Sequence, residues 1–185
     1  MPDSRLFHFS ELGSIERFIP KPVDVPSPRE IGEEWLNGPL VWATDEEHQA
    51  TYLFPRDCPR ILVWPTAATT ENDKRHWWGE RECSMIAHVE WEWLRRIHDQ
   101  SLYRYQLPPD SFQYIEDGWM WVSKEAVTPM RIERIDDLLG ALHELNVELR
   151  IMDSLLPLRQ LWTTSFHVSG IRLRNAAGWP RPTNS

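Results

Sequence analysis

Short apolar runs separated by proline, glycine and acidic residues dominate the chain. Six of these runs have the β-branched and aromatic composition of strands. They are Leu6-Phe7-His8-Phe9, Leu40-Val41-Trp42-Ala43, Ile61-Leu62-Val63-Trp64, Leu102-Tyr103-Arg104-Tyr105, Trp119-Met120-Trp121-Val122 and Val147-Glu148-Leu149-Arg150-Ile151. A seventh strand is expected over Arg131 to Ile135. Helical spacing is rarer. Trp91, Leu94, Ile97 and His98 recur at helical intervals and predict a helix near 90–100. Leu138, Leu139, Leu142 and Leu145 form the apolar face of a helix over 136–145, with Asp136 and Asp137 at its start and Asn146 at its end. Asp153 or Ser154 opens another, with Pro157 in its first turn and Leu158, Leu161 and Trp162 on one side. Thr44-Asp45-Glu46-Glu47 has the form of a capping box and predicts a short helix from there to Phe54, stopped by Pro55.

Prolines 20, 22, 26 and 28 exclude regular helix or central strand from residues 20–30, and residues 66–81 read as a second long irregular connection. Strands and helices do not alternate strictly, so the fold class is α+β. The expected organisation is one domain over 1–175 followed by a loose tail over 176–185.

Composition narrows the function. No run of apolar residues is long enough for a membrane helix, and the N-terminus lacks the pattern of a secretory signal, so the expectation is a cytoplasmic protein without membrane association. A net charge of −8 argues against nucleic acid as a partner. The two cysteines, Cys58 and Cys83, have no CxxC partner and read as reduced structural thiols. P-loop, GxGxxG, GxSxG and HExxH motifs are all absent. His88-Val89-Glu90 matches the H-x-E of zinc deaminases, but no P-C-x-x-C follows it. His88, Glu90 and Glu92 therefore read as surface residues at a strand-to-helix joint, and no metal site is expected.

One constellation stands out. His8 lies within an apolar strand, where an imidazole needs a bond or a cavity. Trp42 ends a second strand, and Tyr52 follows it after the expected helical turn. Glu125 stands at the mouth of the strand ending Trp121-Val122-Ser123. These pieces resemble the nicotinamide-binding half of the ADP-ribosyltransferase fold. The resemblance implies a central, mostly antiparallel, split β-sheet with a few flanking helices. It implies that His8 holds a ribose hydroxyl and Tyr52 stacks on nicotinamide, with Trp42 as the strand aromatic. Glu125 then stabilises an oxocarbenium-like transition state, although Glu116, Glu133 and Glu148 are alternatives. Ser10 is a further candidate contact, and NAD is the implied substrate. The chain departs from that family's pattern at Phe9, where glycine often follows the histidine, and at Pro39-Leu40-Val41, where glycine often precedes the aromatic.

A second resemblance covers nearly the whole chain. "LFHFSE", "PLVWATDEEH", "YLFPRDCPR", "DDLLGAL" and "RLRNA" are similar to a family of small, mostly bacterial proteins known only as a domain of unknown function. It directs attention to Arg56, Arg150, Arg172 and Arg174 as candidate pocket cations. The 11 tryptophans add one more question. Most fall in strand-like or helix-like stretches and suit a core. Trp77 and Trp78 lie in a polar stretch, where they either cover a planar ligand or fold back and become buried. Three functions follow as expectations: an ADP-ribosyltransferase-like enzyme, an enzyme using acid-base chemistry on another planar small molecule, or a non-catalytic module with a protein partner.

Overall fold

The computed structural model describes residues 5–26, 29–115 and 119–180. In chain order the strands are β1 (Leu6–Ser10), β2 (Val41–Asp45), β3 (Arg60–Trp64), β4 (Met85–Glu90), β5 (Leu102–Leu107), β6 (Gln113–Ile115), β7 (Met120–Ser123), β8 (Arg131–Ile135), β9 (Val147–Met152) and β10 (His167–Ile171). The α-helices are α1 (Glu71–Asp73), α2 (Trp91–Asp99) and α3 (Leu138–Glu144). Single-turn and 3₁₀ segments complete the structure, including Gln49–Tyr52 and Leu156–Thr163. The protein is thus mixed α+β, with two sheets that are mostly antiparallel and few helices. The expected single domain is organised as two compact units. One takes in the described residues of Met1–Tyr52 and Leu102–Ile135; the other takes in those of Leu53–Ser101 and Asp136–Ser185.

The first unit is a six-stranded antiparallel sheet in the order β6-β7-β2-β1-β5-β8. Alternation sends Leu6, Val41, Ala43, Tyr105 and Leu107 to one face, where Phe18 and Val127 close over them. Tyr105 is 0% exposed, and its hydroxyl is satisfied twice: it donates to Leu12 O (2.6 Å) and accepts from Ile15 N–H (3.1 Å). That hydroxyl fixes the loop after β1. Gly13 in the same loop lies flat against the Tyr103 ring, where a Cβ would come within 2.4 Å of it. Leu36, Leu40, Ile115 and Val122 form a second small core.

The second unit is a four-stranded sheet in the order β10-β3-β4-β9, in which only the β4–β9 pair is parallel. On one face Ile61, Val63 and Ile86 pack with Trp78, Leu155, Leu158, Leu161 and Phe166. On the other side α2 packs against β4 and β9, and α3 against β9. Asp137 caps α3 by accepting from Gly140 N–H at 2.8 Å. Ala176, the first residue of the expected tail, is buried in this core.

Several local readings change. No helix starts at Thr44: that residue is buried in β2, and its pairing with Phe7 and Met120 outweighs the capping pattern. Asp45 takes the cap instead, accepting from His48 N–H at 2.9 Å, and a 3₁₀ turn follows at Gln49–Tyr52. Residues 66–81 are not wholly irregular, because Thr70 caps α1 and a π turn continues it over Lys74–Trp78. Trp119 lies outside its expected strand and has a left-handed backbone (φ 57°), and the chain enters β7 at Met120. Trp162 is 46% exposed and does not share the buried side of Leu158 and Leu161. His88 and Glu90 are not surface residues. Both lie on β4 and are buried (4% and 1% exposed), while Glu92 on α2 is exposed. Glu90 is satisfied there by backbone: its carboxylate accepts from Leu155 N–H (3.0 Å) and from Ala177 N–H with both oxygens (3.1 and 3.0 Å).

Candidate functional site

The site begins with an incomplete ladder. β1 pairs with β5 along its full length, from Leu6↔Leu107 to Ser10↔Tyr103. It pairs with β2 only at Leu6↔Asp45 and Phe7↔Thr44. Beyond Phe7 the two strands part, so the facing edges of His8–Ser10 and Val41–Ala43 share no ladder. Part of the gap is bridged by a side chain: His8 Nδ1 lies 2.8 Å from Trp42 O. A carbonyl only accepts, so Nδ1 carries the proton, and Nε2 of the neutral ring is an acceptor. The imidazole also rests against Phe18, with centroids 4.6 Å apart.

A cavity of about 240 Å³ opens at this gap. Phe7, His8 and Phe9 of β1 line it, with Trp42, Ala43 and Thr44 of β2. Tyr52, Met120 and Val23 complete the wall. Tyr52 reaches it because the Asp45-capped turn ends there, and its hydroxyl donates to Met120 Sδ at 3.2 Å. The cap is held electrostatically as well. Burial pushes the Asp45 pKa up, but hydrogen bonds and charge attraction from His48 and a bond from Trp121 outweigh it, and the carboxyl is held below its ordinary range. His48 Nδ1 lies 2.7 Å from Asp45 Oδ1, and Trp121 Nε1 donates to Oδ2 at 3.4 Å.

The structure therefore brings together three of the sequence-selected residues, His8, Trp42 and Tyr52. Glu125 is not with them: it is exposed, absent from the cavity wall, and its backbone N–H donates to Ser123 Oγ at 3.1 Å. Ser10 is turned to its own loop, where its hydroxyl accepts from Leu12 N–H. Of the alternative carboxylates, Glu133 pairs with Arg104 and Glu148 with Arg81 and Arg150, while Glu116 lies outside the described residues.

The remaining candidates belong to the second unit. Arg150 pairs with Glu148 at 2.8 Å, and Arg56 is exposed with its carbonyl accepting from Arg172 Nε. Arg174 is exposed at the end of a 3₁₀ turn. Trp77 is half-buried against the core. Trp78 is 6% exposed, stacks on Phe166 (5.6 Å, 23°) and donates from Nε1 to Arg81 O. The π turn folds both indoles back onto their own unit, which answers the question that their polar surroundings raised.

Phe7, Phe9, Val23 and Met120 line the cavity without having been selected. The flanking position of Phe7 and Phe9 about His8 was the available signal. Met120 offered none, because Trp119 and Trp121 dominate that stretch. Among the described residues no group of three or more His, Cys, Asp or Glu could hold a metal ion. Cys58 is no nucleophile at neutral pH, because burial pushes its thiol up to about 12. Among the described residues no helix is long and apolar enough to cross a membrane.

The family is settled by sequence over nearly the whole length. The chain belongs to DUF6886, a family of unknown function whose model matches residues 7–176. The matched span takes in every residue of the cavity wall. No curated protein matches this DUF6886 chain, and no solved structure does.

Proposed function

We propose that the cavity of the first unit binds the nicotinamide ring of NAD or a related nucleotide, and that the protein transfers or hydrolyses the ADP-ribosyl group. The observation that carries this reading is the convergence of His8, Trp42 and Tyr52 from three separate elements on one aromatic cavity where β1 and β2 part. Phe7, Phe9, Trp42 and Tyr52 give the wall an aromatic character that suits a planar ligand. A cavity of 240 Å³ is smaller than the roughly 300–1,000 Å³ of pockets for drug-sized ligands. It suits one ring system, with the ribose and phosphates lying outside. The bond from His8 to Trp42 O holds the imidazole beside the cavity, where the resemblance implies a ribose hydroxyl.

None of the lining residues among those described is a carboxylate. The cavity therefore grips the leaving group, and the proposal leaves stabilisation of the ribosyl cation to a carboxylate outside the wall, which the family resemblance assigns to Glu125. The same absence favours a second reading, in which His8 Nε2 acts as a base on a different planar small molecule. Calorimetry with NAD and with nicotinamide, followed by mass spectrometry for released nicotinamide, separates the two. The expected result is saturable binding of both, lost in His8→Ala and Tyr52→Ala, with slow release of nicotinamide from NAD. Binding without release supports the second reading. No heat with either compound at millimolar concentration refutes the first.

A further inference from the structure

Arg104 is not among the residues lining the cavity, yet it contacts one of them and the turn that carries another. It lies on β5 directly opposite Phe9 of β1. Its guanidinium lies over the ring of Phe7, 5.1 Å from the centroid. Nη1 donates to Gln49 Oε1 at 2.7 Å, and Nη2 donates to Glu133 Oε2 on β8 at 2.6 Å. Gln49 is buried and is the first residue of the turn that ends in Tyr52. Its amide also donates to Glu46 O, so both ends of that side chain are fixed. Phe7 and Tyr52 both line the cavity.

We infer that Arg104 is a positioning residue for the proposed nicotinamide site. It ties the Tyr52 turn to the β1–β5 pair and lies over the ring of Phe7, so that one planar cation sets the separation of two aromatic walls. Three features support this. The Arg104 side chain is largely buried, with 26% of it exposed. Its contacts are divided among a ring, a neutral amide and a carboxylate, which a fork of fixed geometry can meet at once and a lysine ammonium cannot. It also links Gln49 of the turn to Phe7 of the strand, so its effect falls on two parts of the cavity wall. The inference rests on the functional reading above for its ligand, but its geometry can be tested without one.

The experiment compares native protein with Arg104→Lys and Arg104→Gln, each labelled with ¹³C-methyl methionine. The Met120 methyl sits beside the Tyr52 hydroxyl and reports the position of that ring. Met85 and Met152 belong to the other unit and serve as internal references. In both variants the Met120 resonance is expected to move by more than its linewidth, with Met85 and Met152 unmoved. Nicotinamide affinity is expected to fall about tenfold, the loss of roughly one charge-assisted hydrogen bond. Combining Arg104→Gln with Gln49→Ala is expected to cost less affinity than the sum of the two single changes, because both break the same contact. An unmoved Met120 resonance, full rescue by lysine, or additive losses each overturn the inference. If Arg104→Gln does not fold, Arg104→Lys keeps the charge and answers alone. If native protein binds neither NAD nor nicotinamide, the functional reading falls, and the Met120 resonance still decides whether Arg104 positions the wall.

Discussion

The two sheets use opposite designs. In the second unit every ladder is long: five pairs join β10 to β3, four join β3 to β4, and six join β4 to β9. In the first unit the central β1–β2 ladder stops after two pairs, and side chains take over where backbone bonds stop. The closed sheet buries ionisable groups and satisfies them with backbone partners, as with Glu90 and with His88, which bonds to Ile61 O. The open sheet spends its polar groups, His8, Asp45 and Arg104, on holding apart a space that it does not fill. Continuous pairing closes the second sheet, and the interruption leaves a cavity in the first.

The sharpest way to break this comparison is to remove bulk from both places. Leu62→Ala on β3, a fully buried position, is expected to cost about 4 kcal/mol in denaturant unfolding. Tyr52→Ala is expected to cost less than half of that, because its ring already faces a cavity, while abolishing ligand binding. Equal costs would mean that the first unit is as tightly packed as the second. The pH response is the next largest effect. Burial first, with the nearby Arg150 charge, drives the His88 pKa from 6.5 down to about 4 against the opposing bond to Ile61 O. The unfolded chain therefore takes up this proton first as pH falls. The stabilisation is whole above pH 6.5 and disappears by about pH 4, a change on the order of 3 kcal/mol. Unfolding curves at pH 7 and pH 4.5 should show it, and His88→Gln should shrink the difference. The smallest of the three is Tyr105→Phe in the first unit. It removes a hydroxyl bonded to Leu12 O and Ile15 N–H and should cost about 2 kcal/mol, measured by the unfolding midpoint.

The sequence made the outline of both units readable because their strands are short, apolar and separated by strong breakers. Leu6–Phe9, Ile61–Trp64 and Val147–Ile151 all fall within observed strands. β4 was recognised only as a joint. Met85-Ile86-Ala87-His88-Val89-Glu90 is buried on both faces, so it shows no alternation, and its polar residues suggested a surface. The Thr44 capping pattern misled for a related reason: a buried strand position and a helix cap can share one residue type, and the pairing of Thr44 with Phe7 and Met120 separates them. His8, Trp42 and Tyr52 were readable because each had a local oddity. The rest of the wall was not, since Val23, Phe9 and Met120 become neighbours only where two strands part, and strand separation is a tertiary event that no local pattern records.

Glu90 carries a consequence for the chain's end. Its carboxylate is closed off by the amides of Leu155 and Ala177, and Ala176 packs into the core beside it. Shortening the chain to end before Ala177 would leave a desolvated anion short of two hydrogen bonds. Removing a stretch at the terminus would then act as a charge defect in the middle of the sheet. The last described residues are, in energetic terms, part of β4's interior.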